Sequence, residues 1–188
     1  MKKTERIEHD SFGSIEVPSD ALWGAQTQRS LLNFAIGDDL IPKDLIYALA
    51  KVKKAAAIVN NNLGVLDESR KDLIVKSASD IAKGLYDNQF PLKVWQTGSG
   101  TQTNMNMNEV ISNLASVANG KPLGSHKPLH PNDHVNKSQS TNDVFPAAIQ
   151  IAVCSNIKKK LLPELTLLSE VFSKRKDEWN EIIKIGRT

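Results

Sequence analysis

From about Asn142 to Lys184 the sequence keeps a helical apolar period for roughly forty residues, with Pro163 as its one break. Leu161, Leu165, Leu168, Phe172, Trp179 and Ile183 recur along one face, and nothing nearby in sequence covers them. A helix this long with an apolar stripe belongs in a bundle, so its partners must come from later sequence or from other subunits. The prediction is a mainly α protein. Residues 1–139 form an N-terminal helical domain with a small β-hairpin, and residues 140–188 begin a helical-bundle domain with its first long helix.

The segments before that helix are shorter. Glu5–His9 and Gly13–Val17 alternate and carry β-branched residues, with Asp10-Ser11-Phe12-Gly13 as the turn between two strands. Pro18 ends the second strand, and Ser19 or Asp20 is the expected cap of a helix running through Trp23 and Arg29 to about Asn33. A clearer helix starts at Pro42. Its expected inner stripe is Leu45, Leu49, Val52, Ala56 and Val59, and it stops near Asn62 before Gly64. Another spans Asp67 to about Lys83, with Ile74, Ala78 and Ile81 inward and Gly84 closing it. Residues 85–102 break the pattern, helix returns from Asn104 to about Ala118, and residues 121–140 read as irregular loop.

Composition excludes several classes. A net charge of +3 with aromatics at only 5 % offers no basic patch with stacking aromatics, so no nucleic-acid partner is expected, and Lys158-Lys159-Lys160 reads as a solvated helix face. The first residues lack the apolar stretch of a secretory signal, and no run reaches the ~18 apolar residues of a membrane span. A cytoplasmic protein is predicted. Cys154, the single cysteine, lies among Ile149, Ile151 and Val153 and reads as a buried core thiol.

Four segments carry candidate chemistry. Gly98-Ser-Gly-Thr101 precedes a helix, where small residues admit a ligand close to the backbone and free N–H groups attract an anion. Asn104-Met-Asn-Met-Asn108-Glu109 places amides on a helix although asparagine is a poor interior residue, which points to a buried polar site. His126, His130 and His134 are spaced by four, but Pro128 and Pro131 lie between them and argue against a metal-binding helix. His130-Pro-Asn-Asp133 remains a compact polar-ligand segment. Ser138-Gln-Ser-Thr-Asn-Asp143 opens the long helix with more hydrogen-bonding side chains than a cap requires, which points to a second anion-binding edge.

Taken together these segments resemble the class II fumarases of the fumarase/aspartase superfamily. The likeness runs from Ala21-Leu-Trp-Gly-Ala-Gln-Thr-Gln-Arg-Ser30 to Gly186-Arg-Thr188. It is most specific at Trp95-Gln-Thr-Gly-Ser-Gly-Thr101, Asn104–Glu109 and His130–Asp143. The resemblance implies reversible hydration of fumarate to L-malate through an aci-carboxylate intermediate, a step of the tricarboxylic acid cycle, with no metal or organic cofactor. It implies that Ser99, Gly100, Thr101, Ser140, Thr141, Asn142 and Thr188 bind substrate. His130, Pro131, Asn132 and Asp133 would form a second dicarboxylate site. It further implies a homotetramer whose active sites draw on more than one subunit. The family's catalytic His directly follows Gly-Arg-Thr and its catalytic Ser loop lies much later, so no catalytic residue is expected among these 188 and the chain alone is expected to be inactive. Thr141 and His134 match aspartases instead. The alternatives are therefore an aspartate ammonia-lyase of the same superfamily, in which Gln rather than His would follow Thr188, or a non-catalytic assembly module.

Overall fold

The computed structural model describes residues 4–187, in two compact units that divide between Ile151 and Ala152. In the first unit, strands β1 (Glu5–Asp10) and β2 (Gly13–Pro18) pair antiparallel with Asp10 opposite Gly13. The Asp10 carboxylate accepts the Phe12 N–H at 2.9 Å, which shapes the predicted turn.

Helix α1 (Ala25–Asn33) starts later than the Ser19 or Asp20 cap would place it. The Arg6 guanidinium donates to the carbonyls of Pro18, Ala21 and Trp23 at 2.7–2.8 Å, which holds the intervening chain out of a helix. Gly24, at the N-cap, supplies no side chain. The orphan donors of the first turn go instead to carboxylates remote in sequence. Glu8 accepts from the Ala25 N–H at 3.1 Å. Glu109 accepts from the Gly24, Gln26 and Thr27 N–H groups at 2.9, 2.9 and 3.2 Å and from the Thr27 hydroxyl at 2.6 Å. Burial pushes the Glu109 carboxyl up, and these four donors oppose that shift.

Helices α2 (Lys43–Asn62) and α3 (Glu68–Ile81) pack against each other. Gly64, at φ 72°, ends the first of them, and Asp67 caps the second by accepting from the Arg70 N–H at 2.9 Å. Ile74, Ala78 and Ile81 face inward as predicted. The predicted stripe of α2 is rotated by about one residue. Ile46, Leu49, Ala50, Lys53, Ala57 and Asn60 are buried, whereas Val59 is half exposed. Periodicity counts only apolar residues, and here two polar ones turn inward because a later loop receives them. Lys53 donates to the side-chain oxygens of Asn136 and Gln139 at 2.8 and 3.0 Å, and Asn60 donates to the Lys137 carbonyl at 2.9 Å.

Helix α4 (Thr101–Ala118) is the centre of the unit, buried continuously from Thr103 to Asn113 and in contact with α1, α2 and α3. It begins three residues before the predicted Asn104, from Gly100 at φ 72°. Its polar side chains bind the irregular segments around it. Asn106 donates to the Gln89 carbonyl at 3.0 Å and Asn113 to that of Leu22 at 2.9 Å. Ser112 donates to the Leu129 carbonyl at 2.6 Å and Ser116 to that of Lys127 at 2.9 Å. The loop predicted at residues 121–140 contains one wide helical turn, Pro131–Val135.

Helix α5 (Thr141–Asn156) follows, then a wide turn at Ile157–Leu161 and helix α6 (Leu162–Trp179). Pro163 interrupts by widening the turn before it, because it lacks an N–H and its ring crowds the carbonyl four residues back. The helix ends at Trp179 rather than near Lys184, so Ile183 lies outside the stripe. Leu165, Leu168 and Phe172 are 50 %, 49 % and 66 % exposed, leaving the apolar face of the second unit uncovered. Cys154 is exposed too, which corrects its reading as a core thiol. No helix among the described residues is long and apolar enough to cross a membrane.

Two stability predictions follow from the buried charges, both for the full-length protein. Glu109→Gln halves the oxygen acceptors and sets an amide NH₂ against N–H donors. It is expected to cost about 2–4 kcal/mol, read as a lower denaturant midpoint. Burial pulls the Lys53 ammonium from 10.5 down to about 7. Across that window the unfolded chain holds a proton the folded one has released, so this lysine makes stability rise with pH by about 1.4 kcal/mol per unit. Wild-type stability measured relative to Lys53→Met is therefore expected to climb from pH 7 towards pH 10, and a flat difference would contradict the assignment.

Candidate active site

Two polar clusters of the first unit flank α4. The first joins the amino ends of α4 and α5. Ser99 and Thr101 are exposed, and the Ser99 hydroxyl lies 3.0 Å from the Thr97 hydroxyl and donates to that of Thr101 at 3.1 Å. Gly100 is buried between them, and a Cβ there would overlap the Phe145 ring of α5, so close helix approach and positive φ both demand glycine. One turn into α4, Asn104 donates to the Thr141 hydroxyl at 2.9 Å and to the Asn136 side-chain oxygen at 3.1 Å. The Ser140 hydroxyl accepts the Asn142 N–H at 3.3 Å, as a cap does, and Ser140 and Asn142 are otherwise exposed.

The structure thus brings Ser99–Thr101 and Ser140–Asn142 to neighbouring helix starts, with Asn104 and Phe145 as the links. Both starts present backbone N–H groups and hydroxyls, an arrangement suited to an anion. Thr188, predicted for the same cluster, lies outside the described residues. Lys53, Asn136 and Gln139 stand behind the cluster; Gln139 belongs to the hydrogen-bonding run that opens α5, whereas Lys53 and Asn136 were not named as site residues from sequence. Lys53 lies on a helix whose period looks ordinary. A cation at a position that the α2 period turns inward was the available signal.

The second cluster lines a pocket of about 220 Å³ between the hairpin, α1, α4 and the segment 126–132. Its walls include His9, Gln26, Met105, Glu109, His126 and His130, with Pro131 and Asn132 at one side. The His126 and His130 rings meet edge to face at 4.9 Å, and burial lowers the His126 imidazole below its usual range. His130 Nδ1 accepts the Asp133 N–H at 3.2 Å, so its approach to the Asp133 carboxylate at 3.3 Å is not a hydrogen bond. His134 is not part of this lining and accepts the His130 N–H on Nδ1 at 2.8 Å. The predicted segment His130–Asp133 therefore divides. His130, Pro131 and Asn132 line the pocket, whereas Asp133 is exposed outside its lining. The described residues contain no cluster of three or more His, Cys, Asp or Glu arranged to hold a metal.

Comparison with known proteins places this architecture. The Lyase family model matches residues 13–188. A class II fumarate hydratase of Prochlorococcus marinus strain MIT 9313 is 67 % identical over 188 residues, covering all of this chain and 40 % of the relative. That of Campylobacter jejuni is 53 % identical over 183 residues, covering 97 % of this chain and 40 % of the relative. The chain spans about 40 % of the length of the curated relatives it matches. Among solved structures, class II fumarase from Schistosoma mansoni superposes with a TM-score of 0.94 at 44 % identity, over 98 % of this chain and 39 % of that one. A fumarate lyase:delta crystallin from Brucella melitensis gives 0.94 at 43 % identity, over 98 % and 43 %. With the family model matched over residues 13–188 and relatives 53–67 % identical along nearly its whole length, the chain belongs to the lyase family.

Proposed function

We propose that these residues form the carboxylate-binding amino-terminal part of a class II fumarate hydratase, which interconverts fumarate and L-malate. The observation that carries this reading is the pairing of the α4 and α5 starts, tied by Asn104 to Thr141. The names of the relatives supply the substrate.

Removal of a proton beside a carboxylate moves negative charge onto the carboxylate oxygens, giving a dianionic aci-carboxylate. Donors already aimed at those oxygens stabilise it without reorganising. In this reading Ser99, Thr101, Ser140 and Thr141 give hydroxyl hydrogens, Asn142 gives an amide, and Gly100 lets the backbone N–H groups approach. Thr188 would contribute from another part of the site. None of these donors is assigned as the base or the later acid. The segment His130–Asp133 would hold a second dicarboxylate. The exposed stripe of α6 would be covered within a homotetramer, with residues 140–188 as the start of its bundle domain, in the cytoplasm.

Malate and aspartate supplied side by side to the full-length protein, followed through the ultraviolet absorbance of fumarate, test the substrate. Turnover of malate alone is expected, and turnover of aspartate would overturn the assignment. Thr141→Val and Ser99→Ala are each expected to lower kcat/KM for malate by about 10²–10³, the usual loss for one donor to a developing oxyanion. The 188 residues assayed by themselves are expected to show no hydration, and robust malate turnover by them would refute the division of roles.

A further inference from the structure

Lys53 is fully buried in the core face of α2 and, among the described residues, has no carboxylate within ion-pair distance. A cation in that position costs the fold desolvation energy that an apolar side chain of similar length would avoid. Its partners are two amide oxygens, Asn136 Oδ1 at 2.8 Å and Gln139 Oε1 at 3.0 Å. The orientation of both amides is fixed from the other end as well. Asn136 Nδ2 donates to the Gln139 carbonyl at 3.1 Å, and Gln139 Nε2 donates to the carbonyls of Val135 and Lys137 at 2.9 and 3.2 Å. Only their oxygens are left to face the lysine.

From there the direction of each bond follows from the one before. Asn136 Oδ1 also accepts from Asn104 Nδ2 at 3.1 Å. Turning the Asn104 amide over would set oxygen against oxygen, so Asn104 keeps its NH₂ toward Asn136 and Thr141. It does so although its own Oδ1 is then buried without a donor. The Thr141 hydroxyl accepts from that NH₂ at 2.9 Å, so its own hydrogen must be given elsewhere. It is free to point away from Asn104, into the edge formed with Ser140 and Asn142.

We propose that Lys53 is a positioning residue: it sets the direction of the hydrogen-bond chain through Asn136 and Asn104, so that the Thr141 hydroxyl donates to a bound carboxylate. The proposal rests on the hydratase reading above. Hydrogen bonds in series polarise one another, so Lys53 in its protonated form also strengthens the last donor. The charge absent from around Lys53 is then supplied, at one remove, by the dicarboxylate itself.

Coupling between variants of the full-length protein tests this, with succinate as a non-reacting dicarboxylate probe. Wild type, Lys53→Met, Thr141→Val and the double variant are compared for succinate affinity by calorimetry and for kcat/KM with malate. Lys53→Met is expected to weaken succinate about tenfold or more and to lower kcat/KM, and the double variant is expected to be no worse than Thr141→Val alone. A merely structural lysine would lower the melting temperature while its effect on binding multiplied with that of Thr141→Val, and that result would overturn the proposal. Asn136→Ala cuts the chain at a half-buried residue and decides the matter if Lys53→Met fails to fold. The same non-additive loss supports the proposal, and unchanged succinate affinity overturns it. Wild-type protein that binds no succinate and turns over no malate would remove the hydratase reading itself, an outcome distinct from binding without coupling.

Discussion

The Glu109 carboxylate holds the first unit together. It reaches from the middle of α4 to the start of α1 and takes four donors that no local side chain satisfies. Charge-assisted bonds to a helix start are among the stronger polar contacts a protein makes, and burial removes water as a competitor. The approach is so close that a Cβ on Gly24 would meet Glu8 at 2.7 Å and Glu109 at 3.0 Å, which accounts for glycine at that cap. Glu8 brings β1 to the same point, so hairpin, α1 and α4 converge on two carboxylates. The pocket beside His126 and His130 has its walls set by this junction, since Ala25, Gln26 and Glu109 all line it.

Helix α4 carries an unusual load of polar groups for a central helix. Each amide or hydroxyl costs free energy to bury unless it finds a partner. Four of them, Asn106, Ser112, Asn113 and Ser116, find backbone carbonyls outside the long helices, those of Gln89, Leu129, Leu22 and Lys127. The helix therefore does the work that a sheet does elsewhere and gives irregular chain something to bond to. Asn104, like Thr103 and Asn108, donates to side chains instead, and one of its two acceptors lies at the start of α5. Its own oxygen is buried without a partner, as are those of Asn106 and Asn108 further along the helix.

The second unit shows the opposite economy. Its helix is exposed along Leu165, Leu168 and Phe172, so its apolar period builds no core among the described residues. Its sequence pattern is a simple apolar period, whereas inward polar residues of the first unit answer to loops remote in sequence.

The hairpin, α3 and the helix start at Thr141 were legible because each rests on local rules. These are alternation around Asp10–Gly13, an Asp67 cap with Ile74, Ala78 and Ile81 behind it, and a run of hydroxyl and amide residues before an apolar period. Where the reading missed, a remote partner had overridden a local preference. Ser19 and Asp20 are good caps, yet α1 is capped by Glu8 and Glu109. The α2 stripe is turned by Lys53 and Asn60, whose partners lie more than seventy residues away. Cys154 reads as core from its neighbours, but burial depends on what lies across from a helix. The sequence by itself determined which residues could bind a carboxylate, because hydroxyls, amides and glycines before a helix announce that chemistry. Only the tertiary structure decided that Ser99–Thr101 and Ser140–Asn142 share one edge and that a buried lysine stands behind it. Those relations depend on distances that folding alone sets.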